Sequence, residues 1–244
     1  MVIEMSMRLS KSKVSSYEMC PRQYYLRNVL RIPQAEMPQL KLGTTLHEKY
    51  ERFFNALPDK IENEKQIHET FEKVCLPDNL PKEKEHLENF LSMNLNTFHD
   101  LNKKDLLQYF KPIAVEKKYY DEELDFVGVI DAVFKLGDKV LIVDWKSSNY
   151  KEGKESYYRF ELSVYKSLWD KFNPNLPATH WGIGFSGNNV FWVEEVKNVS
   201  MQAMYKKIER VRQAIKNKKF DKKPRAPCQW CGYFDYCWEG DLNE

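Results

Sequence analysis

A tight hairpin near the middle of the chain most limits how this sequence can fold. Two apolar runs, residues 127–134 and 140–145, flank the segment Lys135-Leu136-Gly137-Asp138-Lys139. A two-residue turn with glycine first favours a type II′ connection, which fixes the pairing of the two strands. The resulting register places Asp131 directly opposite Asp144, with Cβ atoms about 4.5–5.5 Å apart on one face. A shift of one residue would put these aspartates on opposite faces.

Two opposed aspartates in apolar strands require a positive charge beside them, because unpaired buried carboxylates are costly. Side chains alternate along a strand, so Lys146 shares the face of Asp144 and Trp145 points the other way. A lysine and a proton can neutralise the pair, but a divalent cation satisfies both acids and leaves Lys146 free. Oxygen ligands of this kind suit Mg²⁺ or Mn²⁺. In the alternative interpretation, Asp144 caps the strand end, Lys146 is solvated and Asp131 pairs with an arginine.

The order of predicted elements indicates an α/β or α+β fold with a mixed central sheet flanked by helices. A helix interrupted near Pro21 and a helix that begins at a Thr45–Glu48 capping box come first. Further helices are predicted over residues 60–74, 82–106, 154–172 and 201–218, and strands over residues 113–120, 125–134, 139–145, 179–185 and 190–196. We divide the chain into a helical region (1–110), a core sheet with its crossover helix (111–200), and a basic helix with a cysteine tail (201–244), all within one compact domain.

Length and composition exclude several classes of protein. The chain has 244 residues, of which 42% are hydrophobic and only nine are glycine, so collagen-like and disordered chains are excluded. The longest aliphatic run, Val140 to Val143, is far shorter than the roughly 20 residues that cross a bilayer. With no apolar signal core at the N-terminus, we expect a cytoplasmic protein and no membrane partner.

The cysteines indicate a metal site at the end of the chain. Cys228, Cys231 and Cys237 form a C-x2-C-x5-C pattern, which can fold three thiolates around one centre. Cys20 is a better fourth ligand than Cys75, because it opens a Cys-Pro-Arg turn whereas Cys75 lies in a helix-like apolar run. Four thiolates suit either a [4Fe-4S] cluster or a structural zinc, and unliganded cysteines are the remaining alternative.

Charge is concentrated near the same end of the chain. The formal net charge is only +2, which does not by itself argue for a nucleic-acid partner. Residues 206–225, however, hold ten Lys or Arg against two acidic residues. This basic stripe suits contacts with a phosphate backbone through Lys206, Arg210, Lys218 and Lys222, and a solvated helix face is the alternative.

Five sequence pieces, taken in order, resemble the RecB-like branch of the PD-(D/E)XK nuclease superfamily. They are Gly43-Thr44-Thr45-Leu46-His47-Glu48, Gly128-Val129-Ile130-Asp131, Asp144-Trp145-Lys146, Glu161-Leu162-Ser163-Val164-Tyr165, and the cysteine tail with distant Cys20. The tail resembles the iron-sulfur members of that branch, which include the CRISPR-associated adaptation exonuclease and AddB. The resemblance spans Ser15 to Trp238 and implies a restriction-endonuclease-like core.

The resemblance also implies a role for each site residue. Metal ligands would be the imidazole of His47, the carboxylates of Asp131 and Asp144, and the backbone carbonyl of Trp145. Lys146 would position the attacking water or stabilise charge on the scissile phosphate. The family's Q-x3-Y motif is matched by Glu161 and Tyr165, with glutamate in place of the usual glutamine. Glu161 would orient DNA or metal-bound water, or would instead draw in a second cation. Glu116, near a strand end, is a further candidate.

The implied function is a Mg- or Mn-dependent deoxyribonuclease. We expect an exonuclease on single-stranded or end-frayed DNA, with endonuclease activity as an additional expectation. Its protein partners would belong to recombination, repair or CRISPR adaptation. The main alternative is a non-catalytic DNA-binding module stapled by a four-cysteine metal site. An iron-sulfur DNA glycosylase is disfavoured, because Asp221 stands where that class carries another cysteine.

Overall fold

The chain forms two compact units. The structure is a computed structural model. It describes residues 8–34, 38–77, 80–223, 228 and 231–238. The terminal unit comprises the described residues within Met1–Pro38, Tyr120–Gly128 and Gln202–Glu244, and the central unit those within Gln39–Tyr119 and Val129–Met201. Each unit draws on more than one of the three predicted segments.

The terminal unit contains short helices and one longer amphipathic helix. Strand β1 (Leu9–Ser10) leads into α1 (Lys11–Met19), α2 (Pro21–Tyr24) and a π-helical turn (Tyr25–Val29). The predicted interruption near Pro21 is confirmed, because α1 ends at Met19 and Cys20 is extended, with φ −158° and ψ 114°. Helix α7 (Asn198–Lys216) ends in this unit and α8 (Phe234–Trp238) lies within it. Along α7 an apolar stripe is buried, made up of Met204, Ile208, Val211 and Ile215.

Most of the secondary structure lies in the central unit. Its helices are α3 (Pro38–Ala56), α4 (Glu64–Cys75), α5 (Pro81–Asn102) and α6 (Glu155–Phe172). The capping-box prediction at Thr45 is wrong, because α3 begins at Pro38, seven residues earlier. Inside the helix, the Thr45 hydroxyl donates to the Lys41 carbonyl instead of capping a helix end.

The strands form a mixed sheet, as predicted. Its strands are β1, β2 (Ala114–Asp121), β3 (Phe126–Leu136), β4 (Lys139–Lys146), β5 (His180–Phe185) and β6 (Val190–Glu195). The order is β1-β3-β4-β5-β6, and β2 also pairs with β3. Strands β4 and β5 are parallel and are joined through α6, whereas β3–β4 and β5–β6 are antiparallel.

The register of the central hairpin is confirmed. Leu136 pairs with Lys139, and the ladder continues without a shift to Ala132 and Val143. Gly137 has the positive φ, 64°, that a type II′ turn requires at its first central residue. The turn therefore brings Asp131 and Asp144 to matching positions next to the last paired residues.

Trp145 fixes which face of β4 points inward to the aromatic core. Its side chain is 5% exposed. The indole packs against the rings of Phe90 at 5.0 Å, Phe54 at 5.8 Å and Tyr50 at 5.9 Å between centroids. Because neighbouring side chains on a strand alternate, this anchoring directs Asp144 and Lys146 to the other face of the sheet.

Gly184 leaves room for this indole, which gives a stability prediction. Gly184 pairs with Trp145 across β4 and β5, and a Cβ added there would overlap the six-membered ring of the indole. We expect Gly184→Ala to lower the free energy of unfolding by about 1–3 kcal/mol, measured by urea denaturation. Gly43→Ala is the control, because its added Cβ would lie 3.8 Å from Ser147 Oγ, an ordinary contact, inside helix α3. That control should leave stability unchanged or raise it by about 0.5–1 kcal/mol; equal losses in both variants would contradict the account.

Candidate active site

Apart from the further candidate Glu116, the predicted catalytic and metal-binding residues line one open cleft of the central unit. This cleft has a volume of about 330 Å³. It is lined by His47, Asp131, Asp144, Trp145, Lys146, Ser147, Ser148, Glu161 and Tyr165. The structure therefore brings together residues from α3, β3, β4 and α6, and their roles in catalysis stay predictions.

Asp131 is a buried carboxylate held by its own hairpin. It is 7% exposed, and its Oδ2 accepts a hydrogen bond of 2.7 Å from the backbone N–H of Trp145. Burial raises the pKa of Asp131 well above its usual range, and the charge of Asp144 raises it further. The alternative pairing of Asp131 with an arginine does not fit, because the cation 3.3 Å from Oδ2 is the Nδ1 of His47.

His47 joins two carboxylates from different strands. Its Nδ1 lies 3.3 Å from Asp131 Oδ2 and 3.6 Å from Glu116 Oε1. Burial lowers the pKa of His47, but the hydrogen bond with Glu116 and the charges of Asp131 and Asp144 outweigh burial and raise it to about 9. The imidazole of His47 is therefore protonated at neutral pH, because the negative charges of the surrounding acids stabilise its charged form.

Glu116 reaches this cluster through an unusual backbone conformation. It lies within β2 with φ 44°, a left-handed value that is rare and costly for a residue other than glycine. Regular alternation along β2 therefore does not describe where its side chain points. The strand pattern in the sequence could not have shown this, and only the acidic residue near a strand end marked Glu116 as a candidate.

Lys146 bridges the other two acids of the cleft. Its Nζ lies 2.6 Å from Asp144 Oδ2 and 2.7 Å from Glu161 Oε2, and both carboxylates are nearly fully buried. Burial lowers the pKa of Lys146, but the charges of Asp144 and Glu161 outweigh it and raise that pKa. Two buried acids share the charge of Lys146. The structure therefore differs from both interpretations of the sequence, one of which left Lys146 free beside a cation while the other had it solvated.

Tyr165 completes this side of the cleft one helical turn beyond Glu161. Its hydroxyl donates to Glu161 Oε1 at 3.4 Å, as the i, i+4 spacing on α6 allows. Burial raises the pKa of Tyr165 well above its usual value, and the charge of Glu161 adds to this. The phenol therefore stays protonated and acts as a hydrogen-bond donor over the ordinary pH range.

The residues around His47 fit a divalent cation. The ligand atoms of His47, Glu116 and Asp131 all lie within 4.8 Å of one another. They offer one imidazole nitrogen and carboxylate oxygens, a donor set that suits Mn²⁺ and, through its oxygens, Mg²⁺. The acids around His47 raise its pKa, so this set of side chains favours a positive charge at the imidazole. Trp145, whose carbonyl was a predicted ligand, lines the same cleft.

In the terminal unit, the four predicted cluster cysteines are half-buried neighbours. Cys20, Cys228, Cys231 and Cys237 are all free thiols. Burial raises the pKa values of Cys231 and Cys237, and the charges of Cys20 and Cys228 raise both further. Cys75 is fully buried in the central unit, as expected for an ordinary apolar residue. The choice of Cys20 agrees with this grouping, and the identity of the metal stays a prediction.

Most of the predicted DNA-contacting residues of the basic stripe are exposed, but one of them forms an ion pair within the terminal unit. Lys206, Arg210 and Lys218 are exposed, and Lys222 is half-buried. Arg210 donates two hydrogen bonds, of 2.8 and 2.9 Å, to the carboxylate of Glu18. Arg210 is therefore partly neutralised, and the predicted DNA contacts depend more on the lysines.

Comparisons with known proteins decide the family. A family model for the PD-(D/E)XK nuclease superfamily matches residues 8–238, nearly the whole chain. The chain belongs to the PD-(D/E)XK nuclease superfamily. The fold is similar to the crystal structure of a candidate exonuclease from Eubacterium rectale, with 10% sequence identity and a TM-score of 0.56, covering 95% of this chain and 88% of the other. A search of curated protein sequences gave no match.

Two residues of the cleft of this superfamily member were missed by the sequence analysis. Ser147 and Ser148 line the cleft directly after the Asp144-Trp145-Lys146 motif. Their position immediately after a strand end was the signal that could have marked them, because loops that follow strands often carry functional groups. None of the described helices is both long and apolar enough to cross a membrane.

The acid-rich cleft gives a prediction on pH. The folded protein keeps a proton on His47 up to a pKa of about 9, whereas the unfolded chain loses it near 6.5. Between these two pH values the folded state binds more protons than the unfolded chain does. The free energy of unfolding therefore falls as the pH rises from about 6.5 through about 9. We expect the melting temperature in EDTA, followed by circular dichroism, to fall over this range. Excess Mg²⁺ or Mn²⁺ should flatten the fall.

His47→Gln is the matched variant for this experiment, because it removes the titrating group and keeps a polar side chain. The difference in melting temperature between wild type and His47→Gln isolates the imidazole from other groups, such as thiols, that titrate in the same range. A difference that stays constant from pH 6.5 to 9 in EDTA would show that the acids do not act on His47 as described.

Proposed function

We propose that this chain is a Mg- or Mn-dependent deoxyribonuclease that hydrolyses phosphodiester bonds. Its preferred substrate is single-stranded or end-frayed DNA cut as an exonuclease, with endonuclease activity in addition. The observation that carries the proposal is the joining of Asp131, Asp144 and Lys146 in one open cleft of a PD-(D/E)XK superfamily member. The Eubacterium rectale protein with a similar fold is named as a candidate exonuclease, which supports the same activity.

The divalent ion would be held by His47, Asp131 and Asp144, with Glu116 and the Trp145 carbonyl as further ligands. When bound, such an ion supplies Lewis acidity toward a phosphate and lowers the pKa of water. Asp131 stays fixed through its hydrogen bond from the Trp145 N–H, so the carboxylate is oriented before substrate arrives.

Lys146 supplies the positive charge that faces the scissile phosphate. Its ammonium group is held between Asp144 and Glu161, which keeps it protonated and limits its freedom. A fixed cation stabilises the charge that develops on the phosphate in the transition state. Glu161 holds Lys146 from α6, and Tyr165 in turn donates to Glu161. This arrangement gives a role to the glutamate that stands where the family usually has glutamine.

One feature of the terminal unit supports DNA as the substrate, and a second would hold the unit together. The lysines of the basic stripe provide backbone contacts that weaken with rising salt. The cysteine group would hold a [4Fe-4S] cluster, with zinc as the alternative, and would join the N-terminal Cys20 to the C-terminal tail as a structural clasp. Protein partners in recombination, repair or CRISPR adaptation remain part of the proposal.

Asp144→Asn tests the catalytic claim. The amide keeps the size of the side chain, and Lys146 keeps its partner Glu161, so the fold should persist. We expect cleavage of labelled DNA with Mn²⁺ to fall at least about 1,000-fold, because an acid ligand and its charge are lost together. Asp138→Asn at the exposed hairpin tip removes the same charge outside the cleft and should cleave as wild type does.

Time courses on 5′-labelled and 3′-labelled DNA, with and without Mn²⁺, complete this test. Shortening from one end supports exonuclease action and gives its direction, and internal fragments show endonuclease action. Cleavage by Asp144→Asn at the wild-type rate would refute the proposed site. Binding of DNA by wild type without cleavage in either metal would favour the non-catalytic DNA-binding module.

Metal analysis of cysteine variants tests the cluster. We expect protein purified without oxygen to carry about four iron atoms per chain, and Cys231→Ala to lose most of them with its brown colour. Cys75→Ala, which removes a buried thiol from the central unit, should keep the iron. About one zinc per chain in a colourless wild-type protein would contradict the iron-sulfur proposal but not the nuclease proposal.

A further inference from the structure

The turn between β5 and β6, residues 186–189, is bonded to the end of the strand that carries Lys146. Ser186 is fully buried, and its backbone N–H donates to the Lys146 carbonyl at 2.8 Å. The Ser186 hydroxyl donates to the same carbonyl at 3.2 Å. Lys146 is the last residue of β4, where strand pairing ends. Two hydrogen bonds from one residue therefore fix the peptide group that follows the lysine.

The next residues of the turn hold the next residues of the cleft wall. A Cβ added to Gly187 would lie 2.8 Å from the carbonyl carbon of Ser148 and 2.9 Å from the carbonyl oxygen of Ser147, so the two backbones touch. The Asn188 side chain accepts from the Tyr150 N–H at 2.9 Å and donates to the Tyr150 carbonyl at 3.4 Å. The whole segment from Lys146 to Tyr150 is thus fastened to the turn.

Helix α5 in turn fixes the position of the turn. His86 Nδ1 lies 3.1 Å from the Ser186 hydroxyl, and the Asn89 amide donates to the Ser186 carbonyl at 2.8 Å. Because the Ser186 hydroxyl proton goes to the Lys146 carbonyl, His86 Nδ1 is the donor in this pair. The Asn189 amide donates to the Ser92 hydroxyl at 3.2 Å. His86, Asn89 and Ser92 are three residues apart, so they lie along one side of the helix.

We propose that the β5–β6 turn is a clamp that positions Lys146 and the cleft-lining Ser147 and Ser148. Ser186 and His86 are its positioning residues. The inference rests on the proposed nuclease function and adds to it the residues that set the geometry of the lysine. Such residues matter because a displacement of about 1 Å at a reacting group can cost about 100-fold in rate.

Steady-state cleavage kinetics with Mn²⁺ test the clamp. Ser186→Ala removes the hydroxyl bonds but keeps the backbone bond to Lys146, so we expect kcat to fall about 10- to 100-fold with KM within about twofold. We expect His86→Ala also to lower kcat and to leave KM nearly unchanged. His86→Asn should recover most of the rate, since its amide can occupy the position of Nδ1 and donate to Ser186. A purely structural role would not separate kcat from KM in this way.

Ser163→Ala is the matched control. Ser163 is a fully buried serine of α6, and its hydroxyl has no hydrogen-bond partner within the part of the chain that the structure describes. Its removal should leave kcat unchanged. An unchanged kcat in Ser186→Ala would overturn the clamp. So would equal losses in Ser186→Ala and Ser163→Ala that follow their melting temperatures.

Amide hydrogen exchange separates the clamp from the nuclease proposal. We expect residues 147–150 to exchange faster in Ser186→Ala and in Asn188→Ala than in wild type, because each variant removes side-chain hydrogen bonds that hold the segment from Lys146 to Tyr150. Wild type that fails to cleave DNA would refute the proposed function, and exchange would then decide the clamp alone. Unchanged exchange in both variants would overturn it whatever the activity.

Discussion

The structure of the cleft depends on a conflict that the central hairpin creates between two buried acids. Asp131 and Asp144 lie next to the last paired residues of the hairpin, Ala132 and Val143, and the indole of Trp145 packs into the aromatic core. Moving the two acids apart would disturb the end of the paired strands or expose that indole. Positive charge must therefore come to them, and His47 and Lys146 supply it from two sides.

This arrangement explains why the cleft contains so many groups with shifted pKa values. His47 and Lys146 stabilise the acids beside them. The acids in turn raise the pKa values of His47 and Lys146, so both side chains hold their protons more tightly. The same charge balance suits a divalent ion on the His47 side and a phosphate near the lysine. Stability and the proposed function would thus draw on one network.

Much of the fold and part of the site could be predicted from local sequence. Gly137 with Asp138 fixed the register, and alternation then placed Asp144 and Lys146 together. The start of α3 could not be predicted, because Thr45 resembles a cap locally but bonds within the helix. Long-range contacts also escaped prediction. The strained backbone of Glu116 breaks the period of its strand, and no spacing rule links Ser186 to Lys146, 40 residues away.

Binding of Mn²⁺ measures the central claim most directly, because it reports the charge of the acid pair without relying on cleavage or DNA. Calorimetric titration of wild type should show saturable binding at one or two sites per chain. Asp131→Asn, which removes one of the opposed acids and keeps its size, should weaken the tightest site at least about tenfold. Equal affinity in the two proteins would show that the paired acids do not create the cation site.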